Sequence, residues 1–306
     1  MIVVFGSINV DIVVPVPKLP APGETVLGGD YKIVAGGKGA NQALAAARAG
    51  ARVAMIGRVG QDGFADIALA DLKAGGVDLA GVASGAEATG LAVICFDPAG
   101  ENQIAVASGA NRAVRERQVP DSLLTPDTVV VMQMEVPAEE NWALAERARA
   151  RRARVLLNVA PAGAIPRSAL ARLDWIIVNE LEVVDCAKMF GRAAADPLAA
   201  GRRLVEAAGV GVVVTLGSEG AAVLTRQAAW RIGALPITPV DSTGAGDAFV
   251  GAFAAALDRG AEPPVALRWG SVAGGLACLV EGAQPSLPTR AAIEARLPDL
   301  PPALSF

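Results

Sequence analysis

Histidine is missing from all 306 residues. That removes Ser-His-Asp and Cys-His catalysis and the usual zinc sites. Any chemistry therefore runs on carboxylates, backbone amides, lysine, arginine and bound ions. Cysteine is scarce: Cys95, Cys186 and Cys278 lie far apart in apolar surroundings, as buried small hydrophobes do. An odd count without a pairing pattern fits a reducing, cytoplasmic setting. Apolar runs such as AFVGAFAAAL and WGSVAGGLACLV stop well short of the ~20 residues that a membrane span needs. The opening MIVVFGSINVDIVV has no basic n-region or cleavage site and reads as a buried strand rather than a signal peptide. The 27 basic and 31 acidic residues are mixed along the chain, for a net charge of -4. No basic block or aromatic-basic patch points to nucleic acid. The expected partners are small molecules, with no nucleic acid and no membrane.

What is abundant is apolar: 53% of the residues are hydrophobic. Short β-branched runs (2–6, 52–57, 128–135, 154–160, 175–180, 211–217) alternate with alanine-rich helical stretches near 39–49, 63–75, 138–150, 180–189 and 198–208. This rhythm predicts an α/β fold, a three-layer α/β/α body around a mostly parallel central sheet. Two regions break it. Residues 10–34 hold strand-like pieces around PVPKLPAPGETV, and 88–107 read as a hairpin around DPAGEN. Together the insertions at about 10–34 and 88–110 predict a small β-rich lid over the body, and hence a cleft. Residues 245–259 and 263–280 are long, apolar and small, and predict two closely packed helices.

The stretch DSTGAGDAFVGAF (241–253) sets a glycine-rich turn at the start of a helix. Such a turn exposes amides with no intrahelical partner, and with the helix dipole it forms an anion site. Gly244, Ala245 and Gly246 are the candidate donors, and an ordinary helix start capped by Ser242, Thr243 or Asp247 is the alternative. Neither familiar nucleotide loop is present: Lys38 is followed by Gly39 rather than Ser or Thr, and GAGDAF ends in Phe249 rather than Gly. Asp247 is the informative residue. A bound polyphosphate would repel it, but a carboxylate there can take the proton of a hydroxyl attacking that phosphate. Phosphoryl transfer is the leading expectation.

AGGKGANQALAAARAG (35–50) repeats the design with Lys38, Asn41 and Gln42 as its polar groups and no carboxylate. Gly36, Gly37 and Gly39 allow close backbone approach, and Asn41 both donates and accepts, which suits a polyhydroxylated neutral ligand. Asn9 and Asp11 follow the first strand, and a carboxylate there can accept from two adjacent hydroxyls. Glu135, ending the 128–135 strand, and Asn179 with Glu182 lie where open α/β sheets bind ligands.

GSINVD, PAPGETV, GGKGANQALAAARAGA, STGAGDAFVGAF and EGAQPSLP follow in this order over nearly the whole chain. With them the chain resembles the PfkB carbohydrate kinase family, most of all its ribose-phosphorylating members. The resemblance implies a single kinase domain over 1–306 that transfers the ATP γ-phosphoryl group to a sugar's primary hydroxyl, with D-ribose to ribose 5-phosphate expected. A PfkB kinase for another small sugar or a nucleoside is the alternative, and a non-catalytic nucleotide-binding protein on the same fold is a different class. By motif, Asp247 is the catalytic base and the amides of Gly244, Ala245 and Gly246 the anion hole. Asn9, Asp11, Gly37, Lys38, Asn41 and Glu135 surround the sugar, and Ala92 and Ile94 of the lid close over it. Asn179, Thr215, Gly217, Gly246 and Ser271 match nucleotide positions, and Glu182 acts on Mg2+ through water. Asp241, Thr243, Ala277, Val280, Gly282 and Ser286 match the ligands of an activating monovalent cation, K+. Ser271 stands where a larger polar ring residue is often found against the adenine. A homodimer joined through the lids is implied as well.

Overall fold

Strands whose side chains alternate between two apolar environments belong in a sheet covered on both faces. In the computed structural model, which describes residues 1–191 and 194–306, ten strands form one such sheet. Its spatial order is Leu304–Ser305, Ala229–Ile232, Ala221–Leu224, Gly211–Thr215, Trp175–Asn179, Arg154–Asn158, Val129–Met132, Ile2–Phe5, Val53–Gly60 and Asp78–Gly85. Neighbours from Gly211–Thr215 to Asp78–Gly85 run parallel, and the remaining three strands add an antiparallel edge.

Alternation along the first strand divides the core. Ile2 and Val4 pack on the side of helices Lys38–Arg48, Ala245–Asp258 and Pro263–Ala277. Val3 and Phe5 face the side of Ala138–Ala150, Glu180–Met189 and Pro197–Ala208. The result is the expected three-layer body. The helices Ala245–Asp258 and Pro263–Ala277 do pack together, and Ala245–Asp258 also packs on Lys38–Arg48. Gly251 permits the second contact, since a Cβ there would stand 2.5 Å from the Ala45 Cβ and 2.7 Å from the Ala46 nitrogen. This close approach sets the starts of two helices side by side.

The irregular regions form a separate four-stranded sheet, in the order Lys32–Gly36, Asn9–Pro15, Gly90–Phe96 and Asn102–Ala107. Its last two strands are the expected hairpin, with Phe96 opposite Asn102 and Gly100 at φ 84° in the turn. No helix among the described residues is long and apolar enough to cross a membrane.

Three readings change. The strand expected over 128–135 ends at Met132, because the Gln133 side chain turns into a buried polar network and the chain bends, leaving Glu135 in the following loop. The edge strand Asp78–Gly85 was not legible: half of it is polar or glycine, and Gly81 is there because a Cβ would stand 2.1 Å from the Ile56 Cδ1. Of the cysteines only Cys186 is buried, while Cys95 and Cys278 are half-exposed.

Candidate active site

Helix Ala245–Asp258 starts after Gly244, which adopts the left-handed conformation at φ 77° and receives no side-chain cap. The capping alternative is therefore not what this turn does. The Thr243 amide and hydroxyl both donate to Asp241 Oδ1, at 2.9 and 2.7 Å. The Ala245 amide donates to the Ser242 carbonyl at 3.2 Å, so one of the three expected anion donors is engaged in the turn itself. Among the described residues no acceptor is paired with the amides of Gly246 and Asp247. An open first turn of this kind suits an anion.

The Asp247 carboxylate is buried. Asn41 Nδ2 donates to its Oδ2 and Gln42 Nε2 to its Oδ1, each at 2.9 Å. Burial pushes the Asp247 carboxyl above its ordinary range, while the Lys38 ammonium and the two amides oppose that rise. Lys38 is itself largely buried, which works against its charge. The carboxylates of Asp247, Glu135, Glu182 and Asp11 outweigh that and hold it above its usual value.

Asp11 sits in the small sheet, opposite Val34 on one side and Ala92 on the other. Gly36 leaves space for its carboxylate, since a Cβ would stand 2.3 Å from Asp11 Oδ2. Burial, and then the charges of Glu135 and Asp247, raise the Asp11 pKa to about 6 against the pull of Lys38. Glu135 Oε2 accepts from Ser7 Oγ at 2.5 Å and from the Lys38 amide at 3.1 Å, and Ser7 Oγ accepts from the Gly39 amide at 3.2 Å. Glu135 thus holds the turn that starts at Gly37, whose φ is 88°. Asn9 Oδ1 accepts from Asn111 Nδ2 at 2.7 Å, and Asn9 with Glu135 lines a cavity of about 350 Å³. Ile94 lies two residues along from Ala92, opposite Val13.

A larger cavity of about 530 Å³ opens beside the helix start. Thr215, Gly217, Ala245, Gly246 and Ser271 line it, as does Cys278. The Ser271 hydroxyl is buried without a partner. Asn179 and Glu182 lie outside this lining and cap helix Glu180–Met189 reciprocally: the Asn179 Oδ1 accepts from the Glu182 amide and Glu182 Oε2 from the Asn179 amide, both at 2.8 Å. Burial raises the Glu182 carboxyl, opposed by that Asn179 bond and by Lys38.

Residues 1–290 match the model of the pfkB family carbohydrate kinases. The chain belongs to this family. It is 35% identical over 301 residues to a ribokinase of Lactococcus lactis, covering 97% of each chain. A solved ribokinase of Thermotoga maritima superposes with a TM-score of 0.90 at 30% identity, over 97% of this chain and 99% of that one. A structure of Arabidopsis thaliana ribokinase complexed with ribose and ATP does so with a TM-score of 0.88 at 32% identity, over 97% and 98%. As a pfkB-family member the chain is a kinase that phosphorylates a hydroxyl group.

The positions that match metal ligands by motif divide in two. Asp241 Oδ2 accepts from the Gly282 amide at 2.8 Å, so the carboxylate joins the turn carrying Thr243 to the loop after Ala277. In that loop the Val280 amide donates to the Ala277 carbonyl at 3.3 Å, and Ser286 Oγ donates to Ala283 O at 2.7 Å. One carboxylate among hydroxyl and carbonyl oxygens fits a hard cation of low charge. Among the described residues no cluster of three acidic, Cys or His side chains could cage a metal. Ser7, Gln133 and Asn158 escaped assignment from sequence, since a single neutral polar side chain beside apolar residues announces no chemistry, and Gln42 was read only as one of the polar groups of the second glycine turn, with no link to Asp247.

Proposed function

We propose that this kinase transfers the γ-phosphoryl group of ATP to the 5-hydroxyl of D-ribose, giving ribose 5-phosphate and ADP. One observation carries the reading: a buried carboxylate, Asp247, follows directly on Gly246 of the larger cavity and stands within electrostatic reach of Asp11, Lys38 and Glu135. A base between an anion-binding turn and a hydroxyl-binding group is the minimum for phosphoryl transfer to an alcohol. The names of the relatives, and the ribose and ATP bound in the Arabidopsis enzyme, supply the sugar and the donor.

In this mechanism Asp11 accepts from adjacent ribose hydroxyls, with Asn9, Lys38, Asn41 and Glu135 around the sugar. Asp247 takes the proton of the 5-hydroxyl, and the hydroxyl oxygen attacks the γ-phosphorus as the bond to the ADP oxygen breaks. The amides of the Gly244–Gly246 turn stabilise the charge of the transition state. Ala245 contributes on exchanging its Ser242 bond for the phosphate. Thr215, Gly217 and Ser271 bind the nucleoside end. Asp241, Thr243, Ala277, Val280, Gly282 and Ser286 would hold a potassium ion that would keep the turn in shape, and Glu182 would reach, through water, a magnesium ion that would offset phosphate charge. Ala92 and Ile94, carried by the small sheet, cover the sugar and exclude water. The small sheet exposes Ile104 and Val106 on the face that carries Ala92 and Ile94, and Ile33 on the other face, apolar surface suited to a second copy of the chain. A cytoplasmic homodimer joined there completes the proposal.

The test is ADP release with Mg-ATP and potassium across D-ribose, 2-deoxyribose, fructose and several nucleosides. The expected result is a kcat/KM for D-ribose at least about 10-fold above the others, the least that one hydrogen bond to a charged group supplies. A higher value for any other acceptor overturns the substrate assignment, and no ADP release with any of them overturns the activity.

A further inference from the structure

Asp247 is held from behind by a chain of amides. Gln42 Nε2 donates to Asp247 Oδ1 and to Asn158 Oδ1, each at 2.9 Å, and Gln133 Nε2 donates to Gln42 Oε1 at 2.7 Å. Asn158 Nδ2 donates to the Ile177 carbonyl at 3.1 Å, and Asn141 Nδ2 to the Gln133 carbonyl at 2.7 Å. Gln42 and Gln133 are fully buried. The space for Gln133 exists because residue 6 is glycine: a Cβ there would stand 1.9 Å from Gln133 Oε1.

The orientations of Gln42 and Asn158 follow from the ends of this chain. A carboxylate and the Ile177 carbonyl only accept, so Gln42 must present its NH2 to Asp247, and Asn158 its carbonyl to Gln42. Rotating the Gln42 amide by half a turn would set oxygen against Asn158 Oδ1 and NH2 against the NH2 of Gln133. Asn41, on the other carboxylate oxygen, is not locked in this way. Its Oδ1 is buried without a partner, so a half-turn of that amide places an acceptor against Asp247 Oδ2.

We propose that Gln42 is a positioning residue for the transfer: it keeps Asp247 Oδ1 a permanent acceptor and so makes Oδ2 the oxygen that takes the substrate's proton. The hydroxyl O–H bond breaks and an Oδ2–H bond forms, while the Asn41 amide turns to accept from it. The freed oxygen pair bonds to the γ-phosphorus, and the pair of the broken P–O bond leaves on ADP. Gln133 acts one step further back by donating to Gln42 Oε1, while its own Oε1 is buried without a partner, so the orientation of Gln42 is fixed by Asp247 and Asn158. This inference rests on the reading of Asp247 as the base.

The experiment compares Gln42→Met, Gln133→Met and Asp247→Asn by kcat, both KM values, pH profile and melting temperature. Gln42→Met is expected to lower kcat by about 30- to 100-fold, the scale of a misplaced catalytic group, with both KM values within about 3-fold. The acid limb of its kcat profile is expected to move up by about half a unit or more, since a donor that favours the ionised carboxylate is gone. Lys38, Glu135 and Asp11 also face Asp247, but they are common to all the variants, so the difference in limb reports the amide. Gln133→Met is expected to shift kcat and the limb in the same direction by a smaller factor. A folded Gln42→Met with wild-type kcat and limb, or with a lower melting temperature alone, overturns the inference. Should Gln42→Met not fold, an unchanged kcat and limb in Gln133→Met does so. Activity retained by Asp247→Asn overturns the base assignment instead, which separates the two failures.

Discussion

Asp247→Asn is expected to lower kcat by about 10³-fold, within the range that a positioned general base supplies, while ATP and sugar still bind. The substitution keeps the shape of a side chain that sits at the start of helix Ala245–Asp258 and removes its basicity. Asn41 can accommodate the new amide, because its own Oδ1 has no partner and is free to turn toward it. The open amides of Gly246 and Asp247 are backbone groups and survive the change. Binding by calorimetry and turnover by ADP release should therefore separate, with affinities within a few-fold of wild type. A variant that keeps more than a tenth of the wild-type kcat would remove the base role. Loss of ATP affinity in parallel with turnover would mean that Asp247 shapes the phosphate site rather than the chemistry.

Asp11→Asn carries the second large effect, and it has two opposite signs. Sugar affinity is expected to fall by about 100-fold, since hydrogen bonds to a charged acceptor are each worth about 1.5–3 kcal/mol. The sugar-free protein, by contrast, is expected to become more stable. The folded-state pKa of Asp11 is about 6 against an ordinary 3.8, so the native protein holds this proton more tightly than the unfolded chain does. The cost of the buried charge is absent below pH 3.8, grows as the pH rises and is complete above about 6. At 1.36 kcal/mol per unit this cost reaches about 3 kcal/mol, and the asparagine variant escapes it. Urea unfolding of both proteins between pH 4 and 8 should show a stability gap that opens over this range and then levels off. A gap that does not change with pH would mean that the Asp11 charge is not strained in the sugar-free fold.

The body of the fold was legible because its signals are local. Continuous apolar strands such as Trp175–Asn179 and alanine-rich helices such as Ala138–Ala150 state their own period and ends. The two glycine turns were legible as well, since Gly37 and Gly244 need a positive φ that few other residues tolerate. What stayed hidden depends on residues far apart in the chain. Gln42 reaches Asp247 across 205 positions and Gln133 reaches Gln42 across 91, and nothing near either residue signals its partner. Ser7 is a single hydroxyl after a strand, and it matters only because folding brings Glu135 and the Gly39 amide to it. The edge strand Asp78–Gly85 is polar on the outside and lacked the apolar run that marked the central ones.

The measurement closest to the central claim is the structure of the product. D-ribose, Mg-ATP and the enzyme are followed by 31P and 1H NMR until ADP formation is complete. The expected result is a new phosphate resonance coupled to the two C5 protons of ribose, in equal amount to the ADP formed. Phosphate on C1, or inorganic phosphate without any sugar phosphate, would contradict transfer from ATP to the 5-hydroxyl.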